Sequence, residues 1–152
     1  MIFTGHAELN IDAKQRLAIP AKHRARLTPE RDGTAWYCVP CGDKKLALYT
    51  EKRFEEIVEK GELTLTRNEA ESMLASTFFG MCERIEPDAA GRIVIPRLHK
   101  DTAGLGDEVV MVGCGKYLEI WDRAMWTEGF MNQFKNLPSM VNEVNNRGAK
   151  AP

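Results

Sequence analysis

Lys14, Arg16, Lys22, Arg24 and Arg26 crowd into the stretch from Ala13 to Leu27, which also holds His23 and contains no acid. The acids gather elsewhere, at Glu51, Glu55, Glu56, Glu59, Glu62, Glu69 and Glu71, so a chain of net charge −1 carries a local positive field at one end. Arg16 stands four residues after Asp12, and Arg92 stands four residues after Asp88. In each pair the Asp suits a turn, because its side chain bonds nearby backbone N–H groups, and the Arg begins a strand. Alternation along that strand would put Lys14 and Arg16 on one face. Paired cations on a protruding turn can reach phosphates, and an Arg on a strand can read guanine edges through two parallel hydrogen bonds in a major groove. Taken alone, the Asp could serve only to close the turn, and the run Lys22, Arg24, Arg26 could be a solvated helix face.

Cys38-Val39-Pro40-Cys41 is the strongest rival signal. Zinc would need two more ligands. Cys82 and Cys114 are available, but neither belongs to a second close pair. A redox thiol wants a helix N-terminus, whereas this segment reads as a strand entering a hairpin. Buried thiols are the expectation. His6, His23 and His99 share no ligand-like spacing, and Trp36, Trp121 and Trp126 most simply fill a core or an interface. With no glycine-rich phosphate loop, nucleophile elbow or His-Glu-x-x-His motif, the chain offers no residue on which to hang an enzyme, and no cofactor or metal is expected.

The elements that must position these residues occur twice. Asp12-Ala13-Lys14-Gln15-Arg16-Leu17-Ala18-Ile19-Pro20 matches Asp88-Ala89-Ala90-Gly91-Arg92-Ile93-Val94-Ile95-Pro96 at an offset of 76, and Leu46 to Glu56 matches Leu118 to Glu128 at an offset of 72. Each copy reads as a strand, a turn, a second strand, a helix opened by Pro, a hairpin and a last helix. In copy one these are a strand over 2–11, a turn over 12–15, a strand over 17–19, a helix through Leu27 that ends near Pro29, a hairpin about residues 41–44 and a helix over 51–60 capped by Thr50. Thr66-Arg67-Asn68-Glu69 has a capping-box pattern, with Ala70, Met73, Leu74, Thr77 and Phe78 on neighbouring helix faces.

The expected division is residues 1–65 for the first repeat, 66–79 for a connecting helix, 80–135 for the second repeat and 136–152 for a polar, disordered tail. Units of about 76 residues are near the lower limit for independent stability, so the copies should pack on each other or on partner chains. The longest apolar runs, such as Val109 to Val112, fall far short of the ~20 residues that cross a bilayer. No membrane partner and no secretory leader is expected, which points to the cytosol.

The doubled Asp-x-x-x-Arg followed by an apolar strand and Pro, the Phe3-Thr4-Gly5-His6 start and the Leu118-Glu119-Ile120-Trp121-Asp122 segment resemble the MraZ family of bacterial regulators over roughly residues 1–135. A single copy would indicate only the broader AbrB and SpoVT group. The resemblance implies an α+β, mainly β fold of two swapped-hairpin AbrB-like β-barrel repeats with flanking helices, assembled into rings. It also implies a nucleoid-associated transcription regulator that binds direct repeats in double-stranded DNA upstream of a division and cell-wall gene cluster that includes its own gene. The family's motif Arg carries over to Arg16 and Arg92. Gln15 departs from the pattern, because the family places Gly there, as does the second copy at Gly91, and Gly permits positive φ. Gln15 thus bears on the conformation of the first turn and on the aim of Arg16.

The reading that follows is a sequence-specific DNA-binding repressor that uses Lys14, Arg16, Lys22, Arg24, Arg26 and Arg92, with turns formed by Asp12, Gln15, Asp88 and Gly91. The first copy should dominate, because Ala90 replaces Lys14 in the second. The alternative is a protein-interaction module, antitoxin-like or a scaffold, that offers the same basic turn to an acidic partner.

Overall fold

Strands from both copies hydrogen-bond into one antiparallel sheet in the computed structural model, which describes residues 1–41, 44–61 and 68–150, with side chains through residue 147. Copy one contributes β1 (His6–Asn10), β2 (Arg16–Ala18), β3 (Trp36–Pro40) and β4 (Lys45–Thr50). Copy two contributes β5 (Glu83–Ile85), β6 (Arg92–Val94), β7 (Glu108–Gly113) and β8 (Leu118–Asp122). The order across the sheet is β1-β7-β8-β4-β3-β5, which reads the same backwards when each strand is exchanged for its counterpart. The copies are therefore related by an approximate two-fold axis between β4 and β8. There Leu46 opposes Ile120 and Leu48 opposes Leu118. The outer strands are exchanged: β1 pairs with β7 of the other copy, and β5 pairs with β3.

The remaining strands, β2 and β6, form a separate antiparallel ribbon with Leu17 opposite Ile93. Two more backbone bonds extend it symmetrically, Ile19 N–H to Gly91 C=O at 3.1 Å and Ile95 N–H to Gln15 C=O at 2.8 Å. Leu17, Ile19, Ile93 and Ile95 point inward and join Trp36, Leu48, Met111, Leu118 and Ile120 in one buried cluster. The core is built by strands, although helices hold more residues. The architecture is thus the expected α+β pair of exchanged repeats with flanking helices.

The helices depart from the sequence reading in several places. The helix after Pro20 is a single turn, α1 (Ala21–Arg24), and Pro29 opens a second, α2 (Pro29–Asp32), where its missing N–H costs nothing. Helix α3 (Glu51–Lys60) follows Thr50, but the Thr50 side chain makes no capping bond. Helix α4 (Glu69–Gly80) is capped by Asn68, whose Oδ1 accepts the Glu71 N–H at 2.8 Å. Thr66 and Arg67 lie outside the described residues, as do Gly42 and Asp43 of the expected hairpin turn. No α4 residue is buried, and among the described residues Met73 and Leu74 of the apolar face read there stay 64% and 69% exposed. Helix α5 (Arg97–Ala103) follows Pro96, and α6 (Arg123–Lys135) is capped by Asp122.

The segment expected to be disordered forms α7 (Leu137–Lys150). Its Asn-rich composition hid a helical spacing, with Leu137, Met140, Val141 and Val144 on one face and an Arg147–Glu143 pair at 2.6 Å on another. No described helix is long and apolar enough to cross a membrane.

Gln15 adopts φ 63° and Gly91 φ 78°, so the same left-handed turn is made once by Gln and once by Gly. The substitution is not reciprocal. A Cβ at Gly91 would collide with the Arg24 side chain, whereas the Gln15 side chain accepts from Lys100 Nζ at 3.3 Å. Gln15→Gly should therefore change stability by less than about 1 kcal/mol, as relief of the left-handed strain offsets the greater freedom of the unfolded chain. Gly91→Gln should cost about 2 kcal/mol, since it adds that strain and dislodges Arg24. Urea titration of both variants checks the asymmetry, and equal costs would contradict it.

Candidate nucleic-acid interface

Each Asp-x-x-x-Arg unit closes in the same way. Asp12 Oδ1 accepts the backbone N–H groups of Lys14 and Arg16, both at 2.9 Å, and Oδ2 accepts Arg16 Nε at 2.7 Å. In the second copy Asp88 Oδ1 accepts Ala90 and Arg92 N–H at 2.9 Å, and Oδ2 accepts Arg92 Nε at 2.8 Å. Backbone bonds from Gln15 N–H to Asp12 C=O and from Gly91 N–H to Asp88 C=O complete the two turns, each at 2.9 Å. The Arg16 backbone N–H foremost, with its guanidinium, holds the Asp12 carboxyl below the usual carboxylate range, and Arg92 does the same for Asp88. The turns' contribution to stability is accordingly complete at neutral pH and is lost as pH falls through those lowered values.

The ribbon register puts the two arginines on one outward face. Arg16 opposes Val94 and Arg92 opposes Ala18, so they occupy diagonal positions, which in such a pair lie about 7–8 Å apart. Their side chains are 30% and 37% exposed. The Nη groups of both make no hydrogen bond among the described residues. The carboxylate thus takes Nε and leaves the two-pronged end of each guanidinium directed outward.

The other predicted cations divide into free and committed ones. Lys14 is exposed, and its ammonium has no partner among the described residues. It sits on the turn and not on the strand, and the left-handed Gln15 breaks the alternation that would have aligned it with Arg16. Lys22 is exposed and lies across Gly5. Arg24 Nε donates to Ile19 C=O at 2.8 Å while its chain covers Gly91, so it ties α1 to the end of the ribbon. Arg26 donates to Ile2 C=O at 3.1 Å. Arg97, left out of the predicted contacts because Asp88 and Asp101 dilute the cations of the second copy, is the exposed first residue of α5, next to the ribbon. Its place directly after the Asp-x-x-x-Arg strand and Pro96 was the available signal.

The rival sites do not assemble in this way. All four cysteines are free thiols, and among the described residues no group of three or more His, Cys, Asp or Glu is arranged to hold a metal. Cys38 points into the core, and burial pushes its thiol up to about 12. Burial likewise raises Cys41 and Cys82 to about 11 and Cys114 to about 12. His23 is buried with Phe3 edge-on to its ring, and burial followed by the charges of Lys22 and Arg26 lowers its pKa. Trp36 fills the core, whereas Trp126 stacks on Phe130 with His6 beside both rings. Alkylation by iodoacetamide at pH 8 should therefore be slow at all four cysteines in the folded protein and should accelerate by at least about 100-fold in denaturant, as thiolate fraction sets the rate. Mass spectrometry that found one cysteine modified at the denatured rate would contradict the burial.

Comparison with known proteins bears on the same doubled unit. The family model described as "MraZ protein, putative antitoxin-like" matches residues 2–75 and 78–145. A protein of Coxiella burnetii named "Transcriptional regulator MraZ" is 34% identical over 125 residues, 82% of each chain. Proteins of the same name from Halorhodospira halophila and Photorhabdus laumondii are each 32% identical, over 84% and 82% of this chain and of their own lengths. These relatives are named for regulation and not for catalysis. With both copies matched in chain order and the similarity running through the ribbon and its turns, the chain belongs to the MraZ family.

Proposed function

We propose that this protein is a sequence-specific, double-stranded DNA-binding transcription regulator that presents the β2–β6 ribbon to the major groove. The observation that carries the reading is the pair of outward arginines, Arg16 and Arg92, each held at Nε by its own Asp. A two-stranded ribbon fits the width of a major groove, and a free guanidinium end can bond guanine O6 and N7 together. Because Asp12 and Asp88 fix the arginines before contact, little side-chain freedom is left to lose on binding. Lys14, Lys22 and Arg97 flank the ribbon as phosphate contacts, and Arg24 and Arg26 act mainly by holding α1 in place.

A protomer of net charge −1 with two base-reading arginines offers modest affinity by itself. Assembly into a ring that engages direct repeats would multiply it through effective concentration. The exposed apolar faces support such association: Met73 and Leu74 on α4, Met131 and Phe134 on α6, and Met140, Val141 and Val144 on α7. The action proposed is repression of the protein's own operon, a division and cell-wall gene cluster, by a nucleoid-associated protein of the cytoplasm. A protein-interaction module using the same basic turn is the second reading. The word "antitoxin-like" in the description of the matching family favours testing it.

Binding of purified protein to its own upstream DNA and to scrambled DNA at two salt concentrations separates the readings. Selective binding that falls steeply with salt is expected of the regulator. Arg16→Ala should weaken selective binding by about 1–3 kcal/mol, and Arg92→Ala by less, because Lys14 reinforces only the first turn. Light scattering should find the oligomer unchanged in both. Lys14→Ala should reduce the salt slope by about one unit for each engaged protomer and weaken scrambled DNA equally. Unchanged selective affinity in Arg16→Ala would sink the ribbon as the reading surface.

A further inference from the structure

The two copies differ at one place that the ribbon does not use. The offset falls from 76 at the Pro-started helix to 73 at β3, where Trp36 matches Val109, and to 72 at β4, so copy one carries three extra residues about α2 (Pro29–Asp32) and one more in its hairpin. In copy two a carboxylate closes the N-terminus of the last helix: Asp122 Oδ2 accepts Met125 N–H at 3.3 Å, and Oδ1 accepts Gly106 N–H at 3.4 Å. The counterparts in copy one are Thr50, whose side chain makes no such bond, and Arg53 in place of Met125. In copy one Glu51 Oε1 takes the loop N–H instead, that of Thr34 at 3.1 Å, and a cavity of about 310 Å³ borders Thr50.

Arg31, Lys52, Arg53 and Lys116 all line this cavity. Arg31 is supplied by α2, and Lys116 comes from the β7–β8 hairpin of the other copy. The two carboxylates in the wall are already engaged. Asp32 accepts the Arg31 guanidinium at 2.8 Å and the Thr28 N–H at 2.9 Å, and Glu56 accepts Lys60 at 2.9 Å and Arg53 Nη1 at 3.1 Å. Among the described residues the Lys116 ammonium is exposed and has no partner. An anion there would gain a charge-assisted hydrogen bond from it.

We infer that this cavity binds a small phosphomonoester, whose phosphate oxygens lie among Arg31, Lys52, Arg53 and Lys116. The cations and the start of α3 both favour a doubly charged anion. The volume exceeds that of one phosphate group, and the exposed Met1 side chain in the wall gives an organic portion an apolar surface. None of the lining residues belongs to the ribbon or its turns, so the site can fill without displacing the proposed DNA contacts.

Calorimetric titration of the full-length protein with ribose 5-phosphate, inorganic phosphate and chloride at matched ionic strength tests the assignment. The expected result is saturable binding of about one ribose 5-phosphate per protomer, weaker binding of phosphate and none of chloride. Thr50→Asp, which would place a carboxylate at the cavity, should weaken ribose 5-phosphate at least about tenfold. Lys116→Gln, a surface change on a hairpin, should also weaken it and decides the matter if Thr50→Asp does not fold. DNA affinity should be unchanged in both variants. Absence of saturable binding, equal binding of chloride, or full binding by Lys116→Gln would overturn the site. Loss of DNA affinity in Lys116→Gln without any response to ribose 5-phosphate would instead make these cations a DNA contact.

Discussion

Neither copy can close its own core. Leu17 and Ile19 from one and Ile93 and Ile95 from the other meet beneath the β2–β6 ribbon, each 0 or 1% exposed, and every such side chain contributes about 1.5–3 kcal/mol on burial. Taking either strand away would expose the partner strand and the sheet below it. The exchange of β1 and β5 across the approximate two-fold axis has the same effect at the sheet edges, because each edge strand is paired by the copy to which it does not belong. Stability and the geometry of the outward face are thus set together: the residues that bury Leu17 and Ile93 are those that hold Arg16 and Arg92 on the opposite side.

The Asp-x-x-x-Arg unit converts that rigidity into aim. One carboxylate oxygen closes the turn through two backbone N–H groups and the other fixes the guanidinium, so turn and arginine are ordered by the same side chain. Arg24 extends the device across copies, since it reaches from α1 to the Ile19 carbonyl over Gly91 of the other turn. The symmetric position is Lys100, which meets the Gln15 side chain at 3.3 Å. Near-symmetry at the level of the backbone is therefore kept with different chemistry at the two ends of the ribbon.

Much of this was legible in the residues. The 76-residue offset, the turn at each Asp, the short apolar strands and the prolines at helix starts all follow from local rules that the fold obeys. The exchange of strands between copies was legible only through the family resemblance, because periodicity gives a strand's faces and not its neighbours. The division of the cations was not legible either. Arg24 and Arg26 look like an exposed charge run until tertiary packing brings the Ile19 and Ile2 carbonyls within reach. The α7 helix was missed because polar composition outweighed a four-residue apolar spacing, and the cavity at α3 because it joins residues 31, 53 and 116, far apart in the chain.

The central claim is that the ribbon and its two turns form the DNA-facing surface. Amide hydrogen exchange of the purified protein, with and without a duplex of its own upstream DNA, tests this most directly, because it reads every segment at once and needs no substitution. The account predicts new protection concentrated in residues 12–19 and 88–95, with α4 and α7 unchanged. Protection confined to the helices, with both turns exchanging as in the free protein, would contradict it.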